Sequence, residues 1–186
     1  MDLAEIVLIA IGLAMDAAAV SMVAAASGFA KDARAKFRLS FHFGLFQFMM
    51  PVLGWAVGIS FISYFDAFDH WIAFALLLFV GGRMVYSGMT PEQAAYKRDP
   101  SRGFSLILLS IATSIDALAI GLSLAMLDVG IWYPSVIIGL ITALLSLLAI
   151  RIGKKIGHLL ENRMEIIGGL ILIGIGFKIL ISQLFY

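Results

Sequence analysis

Apolar residues in this chain come in long runs rather than in the strict alternation of strands. A membrane-spanning helix needs about 20 mainly apolar residues. Six such runs are read at 3–26, 38–62, 71–89, 103–126, 131–151 and 165–186. Turn formers and charges collect in the short connections between them: Gly28, the segment of Pro91 and Pro100, and the Gly130 turn. The pattern predicts an all-α membrane protein in which six transmembrane helices make one transmembrane domain over 1–186. The first run follows Asp2 and Glu5 instead of a basic segment and is too long for a signal sequence, so it is expected as a mature helix.

Composition agrees with that pattern. Of 186 residues, 62% are apolar and 13% charged, too few charges to keep a soluble globule of this size wet, so the lipid bilayer is the expected partner. The net charge of +1 gives no reason to expect nucleic acid. The placement of charge is more informative. Lys31, Arg34, Lys36 and Arg38 fill the first connection, Lys97, Arg98 and Arg102 the third, and Arg151, Lys154, Lys155 and Arg163 the fifth. The N-terminus and alternate connections carry Asp2, Glu5, Asp66, Asp69 and Asp128 instead. Short basic loops stay cytoplasmic, so both termini are expected on the outer face of a multi-pass cell-membrane protein. Tyr64, Trp71, Trp132, Tyr133 and Tyr186 then gather at the outer interface, which suits amphipathic rings.

The two halves of the chain are weakly alike. Ile11 to Val20, with Asp16, sets against Ile111 to Ile120, with Asp116, and the aspartates coincide. Ser40, Gly44, Leu45 and Gly58 match Ser135, Gly139, Leu140 and Gly153 at one common offset, which also brings Gly81 and Arg83 onto Gly176 and Lys178. Aligned ionisable residues inside apolar segments are harder to obtain by chance than aligned leucines. Each repeat, about 1–90 and 103–186, holds three helices, so the second enters the membrane from the opposite side. The expectation is an inverted repeat with a site near the midplane and alternating access by rocking of the halves. Small residues at four-residue spacing, Ala17, Ser21 and Ala25, then Ala117, Gly121 and Ala125, would let the first and fourth helices approach closely.

A carboxylate at the bilayer centre costs roughly 2.5–3.5 kcal/mol on insertion scales, so Asp16 and Asp116 need compensation. One reading is a shared site for a cation or proton; the other is hydrogen-bonded glue between helices. Two carboxylates neutralise a divalent cation, and oxygen donors from Gln47, Thr113 or Ser114 could complete a hard shell of the kind that suits manganese or magnesium. Met15 offers a soft contact but reads better as packing. Gln47 lies one turn before Pro51, which frees a backbone carbonyl, and it too could be ligand or glue. Arg83 and Lys178 either repel cations, pair with the aspartates or snorkel to an interface. With no cysteine, and with His42, His70 and His158 in separate regions, zinc and soft metals are disfavoured. No phosphate loop, catalytic triad or nucleotide fingerprint is present.

The segments Met15 to Ala19, Gly81 to Met84, Ile111 to Ala119 and Glu165 to Gly176 together resemble the MntP-type manganese efflux pumps of the lysine exporter superfamily, over essentially the whole chain. The resemblance implies manganese export, with Asp16 and Asp116 at the acidic positions to which metal transport is attributed. It implies no cofactor beyond manganese as transported substrate, and Gln47 departs from a glutamate found in some members. The expectation is therefore a proton-coupled secondary exporter, not an enzyme, with Asp16, Asp116, Gln47 and Thr113 as metal ligands. An intramembrane aspartyl protease is the rival from another class, disfavoured by the absence of Gly-x-Gly-Asp around either aspartate. Export of an amino acid or another small cation is the rival within transport.

Overall fold

The computed structural model describes residues 1–65, 69–89 and 99–184, which form six α-helices and no strand. These are α1 (Leu3–Ala26), α2 (Ala33–Phe65), α3 (Asp69–Met89), α4 (Gly103–Ala112), α5 (Ile115–Met126) and α6 (Trp132–Leu184). Asp66, Pro91, Lys97, Arg98 and Tyr186 lie outside the described residues, as do the side chains of Tyr64, Asp69, His70, Lys154, Lys155, His158 and Arg163. Four stretches are long and apolar enough to cross a membrane: Leu3–Ala26, Ala33–Ser60, Gly103–Met126 and Trp132–Gly153; Phe74–Arg83 and Ile166–Lys178 are shorter apolar helical segments. Large apolar side chains such as Phe79, Phe104, Leu140 and Leu144 stand exposed, as expected where lipid is the solvent. The chain is a multi-pass membrane protein.

The count of six matches expectation, but the partition differs. The run 103–126, read as one helix, is broken at Thr113 and Ser114. Neither residue is a proline or glycine; the break comes from hydroxyls. Ser114 Oγ donates to the Ser110 carbonyl at 2.6 Å, and Thr113 Oγ1 donates to the Leu109 carbonyl at 2.9 Å. Such back-bonding competes with the amide ladder. The Ser114 amide turns to the Ile111 carbonyl, three residues back instead of four, and α5 restarts from there.

The runs 131–151 and 165–186, expected as two helices, are joined in the single helical stretch α6 of 53 residues. It cannot be a straight rod. Gly139 lies against Gly44, one turn from Gln47; Gln47 bonds the Leu13 carbonyl, and neighbouring Gly12 lies against Leu172. That chain of contacts spans roughly 30 Å at most, whereas the residues from 139 to 172 of a straight helix would span about 50 Å. The stretch therefore folds back between its two apolar parts, of which Trp132–Gly153 is long enough to cross a membrane and Ile166–Lys178 is shorter.

Glycine decides how closely the helices pack. A Cβ at Gly121 would sit 2.0 Å from the Pro51 carbonyl oxygen, and one at Gly54 2.0 Å from that of Leu118. α2 thus runs parallel to α5 with the backbones touching, Gly58 meeting Leu122 and Ala125 further along. The first part of α6 runs antiparallel to α2, with Gly44 facing Gly139 and Ala143, and Gly139 facing Gly44 and Phe48. Around that crossing is an apolar groove of about 330 Å³, lined by Phe41, Leu45, Phe48, Val136, Leu140 and Ala143 beside the two glycines.

Helices α1 and α5 end alike, one hundred positions apart. Gly28 (φ 83°) and Asp128 (φ 52°) both take the left-handed conformation. Phe29 N–H bonds the Ala24 carbonyl as Val129 N–H bonds that of Leu124, and Gly28 and Asp128 N–H bond the carbonyls of Ala25 and Ala125. The correspondence extends to packing. Gly58 meets Leu122 and Ala125, while Gly153, ninety-five positions on, meets Met22; Gly81 meets Gly169 and Ile173, while Gly176 meets Phe74 and Leu77.

Candidate functional site

Asp16 and Asp116 reach one place from two helices. Asp16 lies in the middle of the unbroken α1 and keeps a side chain 15% exposed. Asp116 is buried at 2%, and the break before it places it in the first turn of α5. Free amides and the helix dipole there favour a carboxylate. Arg83 of α3 ties the two together: its Nη2 lies 3.6 Å from Asp16 Oδ2 and 3.4 Å from Asp116 Oδ2. The two oxygens are thus less than twice 3.6 Å apart, close enough for small side-chain rotations to bring both onto one ion.

Gln47 is fully buried on α2, and its amide nitrogen donates to the Leu13 carbonyl at 3.0 Å and the Thr113 carbonyl at 3.1 Å. Those carbonyls also stand one hundred positions apart, three residues before the two aspartates. Two carbonyls can only accept, so the amide orientation is fixed and Gln47 Oε1 is left without a hydrogen-bond partner. Asp116 Oδ1 is buried and unpartnered too. A buried acceptor with no donor costs about 1–3 kcal/mol, and such atoms mark places where an ion or water belongs.

Of the four expected ligands, the structure brings Asp16 and Asp116 together at Arg83, and Gln47 to the backbone of both aspartate-bearing segments. Thr113 joins them through its carbonyl. Its hydroxyl proton is held by the Leu109 and Ser110 carbonyls, leaving the oxygen's lone pairs as the only ligating capacity of that side chain. Ser114 is similarly committed. Lys178 lies elsewhere, with Nζ 2.6 Å from Glu5 Oε1. His42 is occupied with the Arg38 carbonyl.

One side chain was missed. Thr142 of α6 is fully buried with its hydroxyl unpartnered, at the position ninety-five beyond Gln47. The common offset that aligns Gly44 with Gly139 would have found it. Among the described residues no three His, Cys, Asp or Glu side chains cluster, so a cation held here would draw on amide, carbonyl and hydroxyl oxygens beside the two carboxylates.

Residues 30–180 match the family model described as "Mntp: Putative manganese efflux pump". The chain belongs to this family. Among relatives bearing that description and the name MntP, one from Syntrophotalea carbinolica is 46% identical over 181 residues, covering 97% of this chain and 96% of the relative. Another, from Clostridium botulinum, is 46% identical over 193 aligned positions, covering 98% and 96%. A third, from the strain Delta H of Methanothermobacter thermautotrophicus, is 44% identical over 183, covering 98% of each. No solved structure matches the chain. The family is one of efflux pumps and not of enzymes, which leaves the aspartyl-protease reading without support.

Proposed function

We propose that the protein exports divalent manganese across the cell membrane by alternating access, with protons moving inward as the driving ion and both termini on the outer face. The observation that carries this reading is the meeting of Asp16 and Asp116 at one cationic group, beside a buried, unpartnered amide oxygen, in a chain of the manganese efflux family. Asp16, Asp116 and Gln47 Oε1 supply hard oxygens, Asp116 Oδ1 a further one, and Thr113 a weaker hydroxyl oxygen.

Two inverted three-helix repeats account for the paired features: the matching caps at Gly28 and Asp128, the reciprocal glycine contacts, and Gln47 bonding equivalent carbonyls. α1 corresponds to α4 with α5, α2 to the first part of α6, and α3 to its second part. The crossing of Gly44 and Gly139 lies on the pseudo-two-fold axis, where rocking of one repeat against the other would centre. Expelling a divalent ion against 100 mV costs about 4.6 kcal/mol before any concentration gradient, so export needs coupling. Carboxylates that can hold either protons or metal provide it without nucleotide.

Purified full-length protein in liposomes, with a manganese-sensitive dye inside, tests this. Manganese flux should respond to an imposed pH gradient and proceed without ATP. Flux indifferent to the gradient would remove proton coupling, and absence of flux would remove the substrate. Single cysteines at the exposed Asp128 should label from outside intact cells and at the exposed Ala33 only after permeabilisation; the reverse would overturn the orientation.

A further inference from the structure

Arg83 and Lys178 stand at equivalent positions, ninety-five residues apart, yet only one enters the site. Lys178 is held by Glu5, eleven residues or about 16 Å along α1 from Asp16. Arg83 reaches both aspartates with a single nitrogen. That nitrogen lies within 3.6 Å of both Oδ2 atoms, so a divalent cation drawing on the two carboxylates would meet its charge there. Guanidinium and metal therefore compete for the same oxygens, and both cannot hold them at once. The Arg83 side chain is 44% exposed, so it has room on its open flank to withdraw. Its charge is also fixed, because a guanidinium does not deprotonate.

We propose that Arg83 is a tethered stand-in for the substrate: it occupies the two-carboxylate site when no metal is bound, is displaced when a divalent cation enters, and returns when the ion leaves. This rests on the reading of Asp16 and Asp116 as ligands. The metal-free carrier returns with a proton in place of the metal, and one proton leaves the second carboxylate charged in a low-dielectric interior, where that charge opposes the movement. The arginine supplies compensation in that half of the cycle only. The metal supplies it in the other.

The variants Arg83→Gln and Arg83→Met separate these halves. Both remove the competitor and its positive charge, so manganese should bind about tenfold more tightly in titrations of purified protein. Net efflux from loaded liposomes into metal-free medium requires the empty carrier to return, and should fall about tenfold or more. Exchange of internal for external manganese never uses the empty carrier, and should stay within about twofold of wild type. Weakened or unchanged binding, or net efflux and exchange falling together, would overturn the proposal. So would failure of both variants to accumulate as folded protein, since Arg83 would then be a structural strut. A wild-type protein that neither binds nor moves manganese fells the underlying reading instead, and the two failures are distinguished in the same assay.

Discussion

The two aspartate-bearing segments start from nearly the same sequence motif and solve their backbones differently. Around Asp16, α1 runs unbroken, so the carboxylate leaves from mid-helix with its own amide tied into the ladder. Around Asp116 the helix stops at Thr113 and restarts at Ile115, so the carboxylate stands at a helix N-terminus. Leu13 and Ala14 stand where the second half has Thr113 and Ser114, and those two hydroxyls make the difference. Asp116 has part of its charge compensated by its own backbone. Asp16 leaves from mid-helix, where the amides of its own turn are already taken up by the ladder. Two like segments can thus keep matching packing contacts on differently built backbones.

The largest effect expected is on the aspartates themselves. Asp16→Asn and Asp116→Asn should each abolish manganese resistance in cells at wild-type protein abundance, with the double variant little worse than either. Asparagine keeps the volume and one carbonyl but not the charge. If the carboxylates were only glue, amides would retain much of the transport, because such hydrogen bonds in membranes average about 0.6 kcal/mol. Near-normal export by one variant would mean that only its partner carries the ion.

Next comes packing. Gly121→Val forces a branched side chain into the Pro51 backbone and should destabilise by about 3 kcal/mol or more, read as loss of folded protein in detergent melts. Its counterpart Ser21 already carries a side chain, so Ser21→Ala should leave the melting temperature nearly unchanged. Gly82→Ala, with nothing near the added carbon, is the neutral control.

A several-fold effect on transport is expected from the double change Thr113→Val and Ser114→Ala. Without the hydroxyl back-bonds the second segment comes to resemble the first. Asp116 should then lose its place at a helix N-terminus and the compensation that free amides give it there. Manganese affinity should drop while protein abundance is held. Unchanged affinity would show that the break is incidental to the site. The smallest effect belongs to Lys178→Gln: its pair with Glu5 is solvent-screened and remote from the aspartates, so transport should stay within about twofold. That result set beside Arg83→Gln would measure how far the two halves have diverged.

Much of this was legible in the sequence because lipid leaves few choices. α1 falls at Leu3–Ala26 as its apolar run prescribes, opened by a reciprocal cap between Asp2 and Glu5. The aspartates could be paired because ionisable residues stand out in an apolar alphabet. The break at Thr113 was not legible, since serine and threonine interrupt a membrane helix only when their hydroxyls turn back to its carbonyls, a rotamer choice that tertiary packing makes. Nor was Gln47's grip on two carbonyls, which depends on crossings where Gly44 meets Gly139 and Gly54 meets Leu118 of distant segments. Thr142 was hidden for another reason: hydroxyl residues are common in membrane helices, and Ser21, Ser135 and Ser146 are likewise buried without a partner, so only its offset from Gln47 sets it apart.

The crossing of Gly44 and Gly139 has a mechanical meaning. A Cβ on Gly44 would come within 2.8 Å of the Gly139 oxygen, and one on Gly139 within 2.9 Å of the Gly44 oxygen, so the helices approach backbone to backbone, with the Ala143 methyl and the Phe48 Cβ beside them. Where side chains form ridges they lock into grooves and resist turning. Here the teeth are reduced to a methyl and a methylene. In the rocking we propose, this crossing would be the smooth bearing about which one helix swivels on the other.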